Sequence, residues 1–156
     1  MRERLHGFTL IELVVTISII AILAAVALPR YIALQTQARA AKMQAIYGGV
    51  RSAAMLAHAQ AIATNTTAAA TVSMEGALIT QVNGYPTADA PGIILALQLN
   101  ATNDQVTLSA GGAAAGSTIT IDINGATTAA SCSVSYTSAL ANASPIIVLP
   151  VLPDCS

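Results

Sequence analysis

A chain of 156 residues with 54% hydrophobic and only 8% charged side chains has the size of a single domain. Its one long apolar run excludes a multi-span membrane protein. The formal charge of -1 hides a segregation, because all six Lys and Arg lie at or before Arg51 while Glu75, Asp89, Asp104, Asp122 and Asp154 follow. The later part lacks the cations that neutralise phosphates, so it is not expected to bind nucleic acid.

In chain order, the first element is "GFTLIELVVTISIIAILAAVALPRY". Phe8 to Leu28 is 21 residues, which at about 1.5 Å per residue spans roughly 30 Å, the hydrocarbon thickness of a bilayer. The preceding "MRERLHG" carries Arg2 and Arg4, a basic flank suited to the cytoplasmic side. An ordinary secretory signal is a rival reading, since "AVA" at Ala25–Ala27 offers small residues for cleavage. Against it stand the length of the run, the acid Glu12 inside it, and a helical pattern that continues past Ala27. An acid inside an apolar helix is costly and needs a partner.

Pro29 lacks an amide hydrogen and is expected to kink a continuous helix. From Arg30 to Ala63 a stripe of mostly small residues, Leu34, Ala38, Ala41, Ala45, Gly48, Ser52, Leu56, Ala59 and Ala63, follows three-and-four spacing. The simpler reading is a core face against the protein's own head; a contact between subunits is the other. "TNTTAAAT", residues 64–71, ends the helix in residues that compete for its backbone bonds.

Beyond it the period becomes two. "STITIDI" aligns Ile119, Ile121 and Ile123, "CSVSY" aligns Cys132, Val134 and Tyr136, and Asn124-Gly125 between them has turn chemistry, so a hairpin with a six-to-eight-residue loop is expected. "QVTLS" and "PIIVL" read as further strands, and "GIILALQL" as a short helix or buried strand. Connections this short predict an antiparallel sheet. The fold class is α+β, a long helix packed on a small antiparallel head.

No catalytic site is expected. His58 sits on the alanine-rich helix without a cysteine or carboxylate near it in sequence and reads as a surface or packing residue. No metal-ligand pair, haem motif, phosphate loop or calcium loop is present, and no cofactor is predicted. Aromatics make up 3% of the chain, too sparse for electron conduction. Asn65, Asn100 and Asn142 lie in sequon-like contexts whose plain reading is loop polarity.

The junction "G-FTLIELVV" after a short basic leader resembles the class III signal of type IV pilins and pseudopilins. That resemblance implies a leader, 1–7, cut between Gly7 and Phe8 by a prepilin peptidase, with N-methylation of Phe8. It implies a transmembrane and filament-core helix, 8–28, an amphipathic helical half, 29–63, and a β-rich head, 64–156. The head would be closed by a disulfide between Cys132 and Cys155, the even pair usual in an exported domain. Phe8, Glu12 and Pro29 become the assembly residues, with Glu12 meeting the amine of Phe8 in its own chain or a neighbour's. Many family members carry glycine where this chain has Ala21, and alanine holds the helix better by about 1 kcal/mol. "PRYIALQTQARAAKMQAI" and "NGYPTADAPGI" further resemble the mannose-sensitive haemagglutinin type of pilin. The implied function is a structural subunit stored in the inner membrane and polymerised by the pilus assembly machinery into a homopolymeric surface fibre for adhesion and motility. A pseudopilin of a secretion or DNA-uptake system is the alternative within the family, and a secreted or membrane-anchored binding module that never polymerises is the alternative outside it.

Overall fold

The computed structural model describes residues 8–67, 70–128, 131–149 and 155. Helix α1 covers Leu10–Ala63, with Pro29 inside it. Two compact units divide between Gln35 and Thr36, and each is described by itself.

The described part of the first unit is an apolar helix in which no side chain is buried. Thirteen large apolar side chains from Phe8 to Leu28 are exposed, from Leu13 at 49% to Leu10 at 82%. At about 1.5–3 kcal/mol for each side chain removed from water, covering this surface is worth about 20–40 kcal/mol. Mean hydropathy over its most apolar window is 2.7, so the covering medium must itself be apolar. Beyond Thr9, the hydroxyls in the run are satisfied within the helix, Thr16 Oγ1 donating to the Glu12 carbonyl at 2.6 Å and Ser18 Oγ to that of Val14 at 2.7 Å.

The second unit holds the rest of α1, two antiparallel sheets and a short helical segment. β1 (Thr71–Met74), β2 (Ala77–Val82) and β3 (Tyr85–Pro86) form a three-stranded sheet in chain order. Its turns are the two-residue type that right-twisted strands favour, with positive φ at Glu75 and Gly76 (48° and 83°) and at Asn83 and Gly84 (52° and 80°). Ala90–Ile94 is a π-type turn running into α2 (Leu95–Leu97), so "GIILALQL" is helical rather than a strand. Its start is fixed by Asp89, whose carboxylate accepts from the Gly92 amide at 3.0 Å. β4 (Val106–Ala110), β5 (Thr118–Ile123), β6 (Ser133–Thr137) and β7 (Ile146–Val148) form the second sheet, also in chain order.

The alternation of Ile119, Ile121 and Ile123 against Val134 and Tyr136 is the register that forms, Ile121 opposite Val134 and Ile119 opposite Tyr136. All five side chains are buried. The Ile123 amide bonds the Cys132 carbonyl at 3.0 Å, closing the hairpin between β5 and β6. The expected single small sheet is therefore two sheets, and β1–β3 add a layer that alternation after Thr71 alone did not delimit.

The helix face differs from the simpler expectation. Leu34, Ala38, Ala41, Ala45, Gly48, Ser52, Leu56, Ala59 and Ala63 are all exposed. The buried stripe is Met43, Ile46, Val50, Ala53, Ala54, Ala57 and Ala61, packed with Ile93, Val106, the β5 isoleucines and Tyr136 in one core and with Val72 and Ile79 in a second. Larger side chains at 43, 46 and 50 fill the space over the sheets, which alanines at 38, 41 and 45 cannot. α1 ends as predicted at Ala63, in a Schellman arrangement: Asn65 takes φ 55°, its amide bonds the Ile62 carbonyl at 3.1 Å, and the Thr66 amide bonds that of Ala61 at 2.8 Å.

Cross-links of side chain to backbone tie the sheets and the helix together. Tyr136 donates its buried hydroxyl to the Pro86 carbonyl at 2.7 Å, joining the two sheets. Asn83 donates to the Ala139 carbonyl at 2.9 Å. Lys42 donates to the Asp104 carbonyl, and Arg39 Nη1 to the Cys155 carbonyl at 3.0 Å.

Candidate assembly site

Glu12 is the acid that an apolar helix should not keep, and the structure gives it a local partner. Its Oε2 accepts from the Thr9 amide at 3.1 Å and from the Thr9 hydroxyl at 2.9 Å, while Thr9 Oγ1 accepts from the Glu12 amide at 3.2 Å. This is a capping box, in which residues three apart satisfy amides that the first helical turn leaves without partners. The signal was present in "FTLIE" as Thr-x-x-Glu, and reasoning about the membrane cost of the carboxylate passed over it.

The cap places Glu12 one turn along from Phe8, whose ring is 71% exposed. Phe8 precedes the cap residue Thr9 and lies just outside α1. Both bonds to Thr9 use Oε2. Gly7 lies outside the described residues. Pro29 sits inside α1, and because it has no amide hydrogen, the Ala25 carbonyl lacks the bond it would otherwise receive.

At the far end of the chain, Cys132 and Cys155 are joined, with Cα atoms 5.0 Å apart and both side chains fully buried. The bond ties the segment before β6 to the segment beyond β7, against Met43 and Val134 in the core. Thus Cys132 and Cys155 act in the head, distinct from the constellation of Phe8, Thr9 and Glu12.

His58 and Tyr136 serve the packing of the head. His58 stacks on Tyr85, ring centroids 3.9 Å apart and planes 8° from parallel. Its Nδ1 lies 2.8 Å from the Gly84 carbonyl, which only accepts, so Nδ1 carries the proton of that bond. This fastens α1 to the β2–β3 turn. Burial, with a smaller contribution from Tyr85, pushes the Tyr136 phenol well above its ordinary value. Among the described residues no three His, Cys, Asp or Glu side chains cluster to hold a metal ion.

Comparisons with known proteins bear on the amino-terminal constellation and the head together. Residues 4–28 match the prokaryotic N-terminal methylation motif. The chain is 38% identical over 109 residues to the type IV narrow pilus major component PilA5 of Thermus thermophilus, covering 70% of this chain and 90% of that protein. No solved structure matches. Identity at that level across nearly the whole of a pilus subunit, joined to a methylation motif that contains Phe8, Thr9 and Glu12, means that the chain belongs to the type IV pilins.

Proposed function

We propose that this structural pilus subunit is cut between Gly7 and Phe8 by a prepilin peptidase, methylated on the new amino terminus, held in the inner membrane by residues 8–28, and then polymerised into a homopolymeric surface fibre. The observation that carries the reading is a methylation motif over residues 4–28 that includes the start of an apolar helix whose large side chains from Phe8 to Leu28 stand exposed. Such a helix is served first by lipid and then by the helices of other subunits. Removal of the leader turns the nitrogen of Phe8 into a cation four residues from Glu12. The cap occupies Oε2 of Glu12, and Oε1 is the atom we assign to an amine, in its own chain or a neighbour's. Two opposite charges attract strongly where water is scarce, provided their geometry is good.

In this account Glu12 sets the axial register of each incoming subunit, and Pro29 lets the helix adjust where the Ala25 carbonyl is free. The stretches "PRYIALQTQARAAKMQAI" and "NGYPTADAPGI" support a use in adhesion of the mannose-sensitive haemagglutinin kind, with motility as a second use of the same fibre. The test is Glu12→Ala. Export, cleavage and head folding are expected to persist while fibres disappear from electron micrographs. Fibres of normal number and length in that variant refute the assigned role.

A further inference from the structure

The second unit divides its charges in an informative way. Of its three cations, Arg39 donates to the Cys155 carbonyl and Lys42 to the Asp104 carbonyl, and both are half-buried. Arg51 is exposed, and no hydrogen bond or ion pair engages it among the described residues. Of the described acids, Asp89, Asp104 and Asp122 are half-buried and Glu75 is exposed. Asp89, Asp104 and Asp122 each accept from the backbone or a hydroxyl beside them. Glu75 accepts from Gln98 Nε2 at 2.7 Å; the donors to all four acids are neutral, and Glu75 is the one that stands exposed. Among the described residues of this unit there is therefore one exposed cation and one exposed anion.

They lie on opposite flanks of α1. Arg51 borders an open groove of about 410 Å³ with Tyr47, Met55, Tyr85, Pro145 and Ile147. Tyrosine, methionine and arginine are the side chains that carry binding energy at protein interfaces. The groove wall is firm, since Tyr85 is stacked on His58. Glu75 stands at the tip of the β1–β2 hairpin, bordering Leu56 and Gln60 of α1. At 100° per residue, Tyr47, Arg51 and Met55 fall on one side of the buried stripe and Leu56 and Gln60 on the other. The hairpin carries its own exposed apolar side chain, Leu78 at 63% exposure, on the sheet face opposite the buried Ile79. Because the two patches differ and face away from one another, one chain cannot bring them together. Two copies of this chain can, and a contact between unlike patches that does not close into a ring propagates as a helix.

We infer that the Arg51 groove of one subunit receives the β1–β2 hairpin tip of a second copy, with Arg51 paired to Glu75 and Leu78 seated against the apolar groove wall. This inference rests on the pilus-fibre reading. Charge complementarity names the partner, since among the described residues of this unit the one exposed anion matches the one exposed cation.

Charge reversal tests it in the full chain, with fibres counted by electron microscopy. Arg51→Glu and Glu75→Arg are each expected to cut fibre number by about ten-fold or more, as expected for like charges forced together at an interface. The double variant Arg51→Glu/Glu75→Arg is expected to restore it. Wild-type fibre number in either single variant, or a double variant no better than the singles, overturns the interface while leaving the fibre reading intact. Absence of fibres from wild-type cells overturns the fibre reading and the interface with it. To separate misfolding from lost contact, a chain carrying Arg51→Cys and Glu75→Cys is oxidised on the cell surface. A ladder of disulfide-linked oligomers is expected. Monomer alone, from a chain that is exported and melts like wild type, overturns the pairing.

Discussion

Replacing Cys132 and Cys155 together by serine opens the loop between residues separated by 23 positions. In the chain-entropy model a closed loop of this length restricts the unfolded chain by about 3.5 kcal/mol. Serine at two fully buried sites adds polar groups that need new partners, so the loss should not fall below that figure. The local consequence is specific. Arg39 is held to the Cys155 carbonyl, and a loosened carboxy-terminal segment releases both that bond and the cover over Met43 and Val134. For a head of this size a loss of about 3.5 kcal/mol lowers Tm by roughly 10–15 °C. The assay is thermal unfolding of the full chain in detergent, followed by near-ultraviolet circular dichroism, since the reporting tyrosines include the buried Tyr136. Far-ultraviolet signal from the apolar helix should persist through the transition. A double variant that melts within 2–3 °C of wild type would refute the argument that the disulfide holds the tail on the core.

The other predictions concern single side chains. Tyr136→Phe removes the bond to the Pro86 carbonyl and should cost about 1–2 kcal/mol at neutral pH, read by denaturant unfolding. Because the folded-state phenol titrates above its unfolded value, its stability is fully present below about pH 10 and is lost as pH rises toward the folded-state value. The same variant should flatten that alkaline decline, and an unchanged slope would contradict it. Gly92→Ala places a Cβ 2.2 Å from the Thr87 carbonyl oxygen, so Thr87 and the Asp89 cap must shift, and the soluble yield of folded chain should fall sharply. Ile121→Ala, at a site with no exposure, should lower the unfolding free energy by about 2–5 kcal/mol, while Leu34→Ala on the exposed face should leave the melting of the isolated subunit unchanged.

The parts of the fold written in alternation were legible. Ile119, Ile121 and Ile123 announced β5 because every second residue is large and β-branched, and only one register buries all three. The three-stranded sheet was harder, although Asn83-Gly84 is a strong hairpin dipeptide: β3 is two residues long, and Glu75-Gly76 is a weaker turn signature. The helix face was misplaced for a physical reason. Alanine recurs on every side between Ala38 and Ala63, so small-residue spacing fits several faces about equally, and the buried one is chosen by Met43, Ile46 and Val50, which the sheets can cover. At the amino terminus, the electrostatic oddity of Glu12 was plain from the sequence. Its capping bond with Thr9 was equally readable, since both follow from the same four residues. The charge separation at Arg51 was visible as well, but the flank each charge occupies depends on the hairpin that carries Glu75.

The central claim is that this chain, processed at one peptide bond, is the substance of a surface fibre. Mass spectrometry of fibres sheared from cells tests it most directly. The account predicts fibres made of this chain, beginning with N-methylated Phe8 and carrying the Cys132–Cys155 bond. Fibres that lack the chain, or an exported chain that begins at Leu28 after cleavage at Ala27, would contradict it.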